Sequence, residues 1–178
     1  MKNITLIPAI LLSLTSITAL ANGYTCKYVK ATIQGPLTPD PACNIQLEKQ
    51  NHFPDLTFLA SLGVPPQYAC FSGSLNGILS DTPTGTGAPI TGTFYAGLTA
   101  NGISNTQLTA ASAIRLYAGN IELGRVFTKD VIFDGYDEEL LTMVDGSKRY
   151  NGGFGTMEIT GDALSGPTTL TGKLCTQD

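Results

Sequence analysis

Residues 116–123 read LYAGNIEL, two short runs of alternating residues that meet at Gly119-Asn120. A Gly-Asn pair between two such runs is typical of a two-residue β-hairpin turn, because glycine and asparagine accept the positive backbone angles that this turn requires. The stretch therefore predicts two antiparallel strands joined at Gly119-Asn120.

The turn also sets the register of the two strands. The expected cross-strand pairs are Leu116 with Leu123 and Ile114 with Arg125 on one face, and Tyr117 with Glu122 on the other. Apolar pairs on one face and polar pairs on the other are the pattern of a strand pair buried on one side. This register places Arg125 on the inward face and leaves Arg115 and Glu122 as a solvated surface pair, which stabilises little.

The chain on both sides of the hairpin has the same alternation of short strand-like runs and turn residues. Runs rich in β-branched and aromatic residues are separated by Gly, Asn, Asp and Pro. These runs begin near Cys70, Gly92, Ala110, Ile121, Asp130, Glu139, Phe154 and Thr168. Eight short strands fit a small up-and-down barrel. The sequence therefore predicts an all-β protein with a closed, antiparallel, eight-stranded barrel over residues 68–178.

Residues 22–67 are less regular and are predicted to form a separate N-terminal segment. One strand is predicted at 24–33, and residues 54–63 (PDLTFLASLG) predict a short helix that Gly63 ends. Residues 1–21 combine Lys2, an apolar run and Ala19-Leu20-Ala21, the features of a secretory signal peptide cleaved after Ala21. That run is too short and too rich in Ser and Thr for a membrane span of about 20 apolar residues. The mature protein is therefore expected to be secreted or periplasmic, without a membrane span.

Composition excludes one class of partner. The chain carries 14 acidic and 10 basic residues, a formal net charge of −4, with no basic patch. Nucleic acid is therefore not an expected partner.

The cysteines of an exported chain are expected to form disulfides, and four of them allow three pairings. Placing Cys70 opposite Cys175 matches like with like along the flanking residues, since Gly73 then faces Gly172. Placing Cys26 opposite Cys175 sets Lys27 against Leu174, Tyr28 against Lys173 and Val29 against Gly172, which separates no polar face from an apolar one. The sequence therefore predicts a Cys70–Cys175 bond that joins the first and last barrel strands, and a Cys26–Cys43 bond.

Residues 145–161 (DGSKRYNGGFGTMEITG) resemble the glycine-rich pattern of allene oxide cyclase-like and dirigent-like barrels, and residues 170–175 (LTGKLC) look like the closing strand of bacterial relatives. Ser147 and Lys148 depart from the Gly-x-Gly-Arg-aromatic form of that pattern. The resemblance covers about residues 68–178 and implies a barrel whose interior acts on oxidised fatty acids or steers radical coupling of phenols. The family's catalytic residues lie outside the matched motif, so none is assigned here.

The predicted barrel interior is apolar, with one cation. Its residues are Phe71, Leu75, Phe94, Leu98, Leu116, Leu123, Met157, Ile159, Leu170 and Leu174, joined by Arg125. A hollow is expected where Gly73 faces Gly172, unless large neighbouring side chains fill it. The predicted ligand-binding residues are Arg125, Phe71, Gly73, Phe94, Met157 and Gly172. Such a lumen suits an amphipathic ligand such as a fatty acid, and a packed core with Arg125 reaching solvent is the alternative.

The sequence shows no catalytic constellation. His52 is the single histidine, no GxSxG motif is present, and the acidic residues of 134–139 lack EF-hand spacing. No catalytic residue, cofactor or metal is predicted. Three functions remain open: a barrel that binds a small apolar or amphipathic ligand as lipocalins do, a cyclase or isomerase of the allene oxide cyclase type, and a structural or surface interaction module with a filled core.

Overall fold

Eight antiparallel strands, each hydrogen-bonded to the next in chain order, close into a barrel in the computed structural model of the chain. The structure describes residues 23–40, 70–98, 108–133 and 137–177. The strands are β1 (Tyr24–Pro39), β2 (Cys70–Ser80), β3 (Ala88–Leu98), β4 (Leu108–Ala118), β5 (Ile121–Ile132), β6 (Glu138–Lys148), β7 (Phe154–Thr160) and β8 (Thr168–Gln177). The predicted all-β, closed, eight-stranded antiparallel barrel is confirmed.

The identity of the strands differs from the prediction in two places. β1, which the sequence analysis assigned to the N-terminal segment, is a barrel strand that pairs with β2 on one side and β8 on the other. The runs predicted to begin at Ile121 and Asp130 are one strand, β5. Asp130 suggested a break between two strands, but its side chain faces the barrel interior and is hydrogen-bonded there. The two differences compensate, so the count of eight holds.

Several predicted features lie outside the described residues. These are the signal peptide, the helix at 54–63, Cys43, His52 and Asp134.

The Gly119-Asn120 turn forms as predicted, but the register beyond it shifts by one residue. Gly119 has a φ of 57°, and Tyr117 pairs with Glu122. A β-bulge then pairs Leu116 with Gly124, whose φ of 141° suits an extra residue in one strand. The prediction that Arg125 lies inside the barrel is therefore wrong, because the extra residue turns its side chain to the outer face.

The barrel is closed by a disulfide between β1 and β8, formed by Cys26 and Cys175. The predicted pairings Cys70–Cys175 and Cys26–Cys43 are wrong. The observed register is the rejected one, in which Lys27 faces Leu174. The pairs nearest the barrel end are a poor guide to this register, because a lysine there can lie inward and still reach solvent. Farther along, inward-facing Ala31 lies opposite inward-facing Leu170. Cys70 is itself disulfide-bonded.

The centre of the barrel is a packed core. Seven of the ten predicted interior residues are fully or almost fully buried there, and Phe71 and Leu123 pack against them. The expected hollow at Gly73 and Gly172 is absent, since β1 lies between the strands that carry them. A Cβ atom at Gly73 would lie 2.6 Å from Cδ2 of Leu37. Apolar side chains therefore fill the middle of the barrel and leave open space only toward its ends.

Candidate functional site

The six residues predicted to bind a ligand do not surround one site. Phe94 and Met157 lie in the packed core at 0% and 2% exposure, and Gly73 and Gly172 face neighbouring atoms rather than space. Arg125 lies on the outer face, where its Nε is 3.7 Å from Oε1 of Glu122. Of the six residues, only Phe71 lines one of the three cavities described below.

We call the end of the barrel where β1 begins and β2 ends the Lys27 end, and the opposite end the Glu139 end. The Lys27 end contains a cavity of about 410 Å³. It is lined by Lys27, Leu79, Ser80, Asp81, Thr86, Gly87, Ala88, Ile90, Ala118, Leu123 and Arg149. The apolar members come from β2, β3, β4 and β5 and continue the packed core outward, whereas the charged members lie at the mouth.

The charges at this mouth are two cations and one anion. Lys27 faces inward because it shares the inner face of β1 with Val29 and Ala31, and it forms an ion pair with Asp81. Arg149 lies in the turn after β6 and is exposed. Because Asp81 neutralises Lys27, the mouth keeps the positive charge of Arg149, which favours an anionic ligand.

The turn that carries Arg149 is anchored on both sides. Lys148 has a φ of 53°, an uncommon conformation for a residue other than glycine, and it turns the chain at the end of β6. The backbone N–H of Arg149 donates to the carbonyl of Leu123 at 3.2 Å. The next residue, Tyr150, inserts its ring into the core, and this burial raises the pKa of its phenol. Arg149 is therefore held at the mouth by its neighbours.

The Glu139 end contains a buried polar cluster that sequence reasoning missed. Ser112, Thr128, Asp130 and Glu139 face inward from three adjacent strands. The Ser112 hydroxyl donates to Oδ2 of Asp130 at 2.6 Å. Burial raises the pKa of Asp130 to about 6, and burial together with the charge of Asp130 raises the pKa of Glu139 well above its ordinary value.

The signal for this cluster was present in the strand alternation. If β5 is taken as a single strand, Asp130 shares a face with Thr128 and Val126, both of which are fully buried. Likewise, Glu139 precedes buried Leu141 by two residues. The sequence analysis instead begins a new strand at Asp130 and considers Glu139 only among the acidic residues of 134–139.

Beside this cluster is a smaller cavity of about 50 Å³. Its lining is apolar except for two carboxyl groups: Leu37, Phe71, Ala96, Leu98, Ala110, Ile132, Glu139, Gly161, Asp162, Ala163 and Leu164. Glu139 therefore belongs both to the buried polar cluster and to the lining of the cavity at this end of the barrel.

A third cavity is a surface groove of about 340 Å³ between β6, β7 and β8. The ladder between β6 and β7 stops at the Thr142–Thr156 pair, so the two strands separate beyond it. Phe154 lines the groove, is half exposed, and packs edge-on against Tyr24 with ring centroids 5.0 Å apart. The groove carries no charged pair of the kind seen at the Lys27 end.

The described ranges contain no group of three or more His, Cys, Asp and Glu side chains placed to hold a metal ion. No helix in the same part of the chain is long and apolar enough to cross a membrane.

Comparison of the chain with protein-family models, with curated proteins and with solved structures gives no match. The resemblance to allene oxide cyclase-like and dirigent-like barrels therefore stays a prediction, and a closed eight-stranded barrel does not by itself identify a family.

Proposed function

We propose that this protein is an exported, disulfide-bonded barrel that binds a small amphipathic anion, such as a medium-chain carboxylate, at its Lys27 end without transforming it. The observation that supports this most directly is the cavity of about 410 Å³, which joins an apolar floor to a cationic mouth. Small-molecule sites typically have volumes of about 300 to 1,000 Å³. This cavity falls in that range, and about half of its lining residues are apolar.

The two ends of the cavity suit the two parts of such a ligand. Leu79, Ile90 and Leu123 present an apolar surface to a hydrocarbon chain. The guanidinium of Arg149 presents paired N–H donors, whose planar geometry matches a carboxylate. The site differs from the one predicted from sequence, since the cation is Arg149 at the mouth rather than Arg125 inside.

Export is supported by the cysteines. The Cys26–Cys175 bond joins the first and last strands, and Cys70 is also disulfide-bonded. Disulfides persist mainly in oxidising compartments, which agrees with the signal peptide predicted at residues 1–21.

Calorimetric titration with octanoate and with octanol tests the proposal. The wild type is expected to bind both, and Arg149→Ala should weaken octanoate binding by roughly fivefold, because an exposed ion pair contributes at most about 1 kcal/mol. Octanol binding should not change, since octanol carries no charge.

Arg125→Ala is the matched control, because it removes the same side chain from the outer face. Its octanoate affinity should equal that of the wild type. Absence of octanoate binding to the wild type, or equal weakening by both substitutions, would contradict the proposal.

The packed interior favours a second candidate, a structural or surface interaction module. A wild type that binds neither probe would support it. A cyclase or isomerase receives less support, because the acidic groups inside the barrel adjoin a cavity of only about 50 Å³, well below the usual size of a substrate site.

A further inference from the structure

We propose that Asp130 and Glu139 form a proton-dependent latch, which holds β5 and β6 together at the Glu139 end of the barrel while the two side chains share one proton and loosens this strand pair when the proton leaves.

The first observation is the placement of the pair. β5 and β6 are hydrogen-bonded neighbours, and Asp130 lies directly opposite Leu141, two residues after Glu139. The two acids are thus diagonal neighbours on the same inner face, a distance that long side chains span. Asp130 is only 2% exposed, so its carboxyl group cannot exchange its partners for water.

The second observation is the hydrogen bonding. Within the described part of the chain, Oδ1 of Asp130 and Oε1 of Glu139 are both buried without a hydrogen-bond partner. Two ionised carboxylates can only accept hydrogen bonds, whereas a protonated carboxyl also donates one. One proton on Glu139 makes it a donor to the adjacent Asp130, whose other oxygen already accepts from Ser112. A single shared proton therefore satisfies the pair, and its loss leaves two acceptors facing each other.

The third observation concerns the charges around the pair. Lys129 precedes Asp130 and Glu138 precedes Glu139 in the sequence. Both side chains are exposed and lie on the outer face of the barrel, on β5 and β6 respectively. The adjacent β4 and β7 contribute Ser112 and Ile159 to the inner face at this level. Asp162, in the connection after β7, lines the same cavity and adds a further acid. Among the described residues no cation faces the pair from inside. Lys129 lowers the pKa of Asp130 from the outer face, but burial outweighs this effect, and no cation lowers the pKa of Glu139.

The consequence is a stability that depends on pH in a defined direction. Burial raises the pKa of both carboxyl groups in the folded protein, whereas the unfolded chain releases both protons near pH 4. Above that pH the folded state holds protons that the unfolded chain has released, so the stability they contribute falls as pH rises. The fall comes first from Asp130, which ionises at about pH 6, and then from the proton that Glu139 shares with it. One retained proton changes the unfolding equilibrium constant by up to tenfold per pH unit.

Glu139→Gln tests the latch, with Glu138→Gln as its control. The carboxamide keeps a donor for Asp130 at every pH, so Glu139→Gln should remove the dependence of the unfolding constant on pH that Glu139 contributes above about pH 6. The buried Asp130 keeps its own dependence below that pH. Glu138→Gln removes an adjacent but exposed charge and should leave that dependence as in the wild type. Amide hydrogen exchange, corrected for its intrinsic pH dependence, should show Val131 and Ile132 opening more at pH 8 than at pH 5 in the wild type.

A carbon-13 titration of the wild-type carboxyl groups gives a readout that requires no folded variant. One carboxyl of the pair should remain protonated above the ordinary carboxyl range. Titration of both at ordinary values would overturn the proposal, as would a pH profile shared by the wild type and Glu139→Gln.

Discussion

Gly172→Ala should destabilise the barrel far more than Gly73→Ala. Both glycines lie on the inner face of the barrel, in the two strands that flank β1. A Cβ atom at Gly172 would lie 2.4 Å from the carbonyl oxygen of Thr156 and 2.5 Å from Cα of Met157. Both atoms are backbone, so the added methyl group has to push β7 away from β8. At Gly73 the nearest atom is the tip of the Leu37 side chain at 2.6 Å, which can rotate away.

The expected magnitudes follow from this difference. Overpacking against an element that cannot move costs about 1 to 3 kcal/mol, and Gly172→Ala should fall at the upper end of that range. Gly73→Ala should stay within about 1 kcal/mol of the wild type, because alanine loses less backbone freedom than glycine and offsets part of the clash. A difference of about 2 kcal/mol corresponds to roughly thirtyfold in the unfolding equilibrium constant.

Urea unfolding with the disulfides intact measures both values. The chain has 7 Tyr and no Trp, so tyrosine fluorescence or circular dichroism should be followed. Equal stability of Gly172→Ala and the wild type would refute the close approach of β7 and β8 at this point.

Two further predictions concern processing and cross-links. The chain has four cysteines, of which Cys26 bonds Cys175 and Cys70 is also disulfide-bonded. We therefore expect non-reducing peptide mapping to recover a Cys43–Cys70 peptide. A mature protein in which Cys43 reacts with a thiol reagent would contradict this prediction. Cleavage of the predicted signal peptide should leave Asn22 at the N-terminus. The intact mass of the exported protein tests this, and retention of residues 1–21 in that material would show the assignment to be wrong.

The sequence by itself determined the class of fold, because that class depends on local patterns. Alternation of side chains with a period of two requires no knowledge of the partner strand, and the Gly119-Asn120 turn is specified by the residues that occupy it. The same alternation identified most of the core, including Phe94, Met157 and Leu170, since a residue on the inner face of a closed barrel is buried whichever strands lie beside it.

The tertiary structure decided everything that depends on a strand's neighbour. One bulge at Gly124 moved Arg125 to the outer face, because a shift of one residue reverses every side chain beyond it. The strand that pairs with β8 to close the barrel is β1, and the two strands share ten residue pairs. The pairs near Lys27 say least about this register, because a charged residue at the barrel end reaches solvent even from the inner face. The acid pair and the cationic mouth each combine residues from separate strands or turns. The pairing of β5 with β6 brings Asp130 beside Glu139, whereas the closure of the barrel brings Lys27 near Arg149.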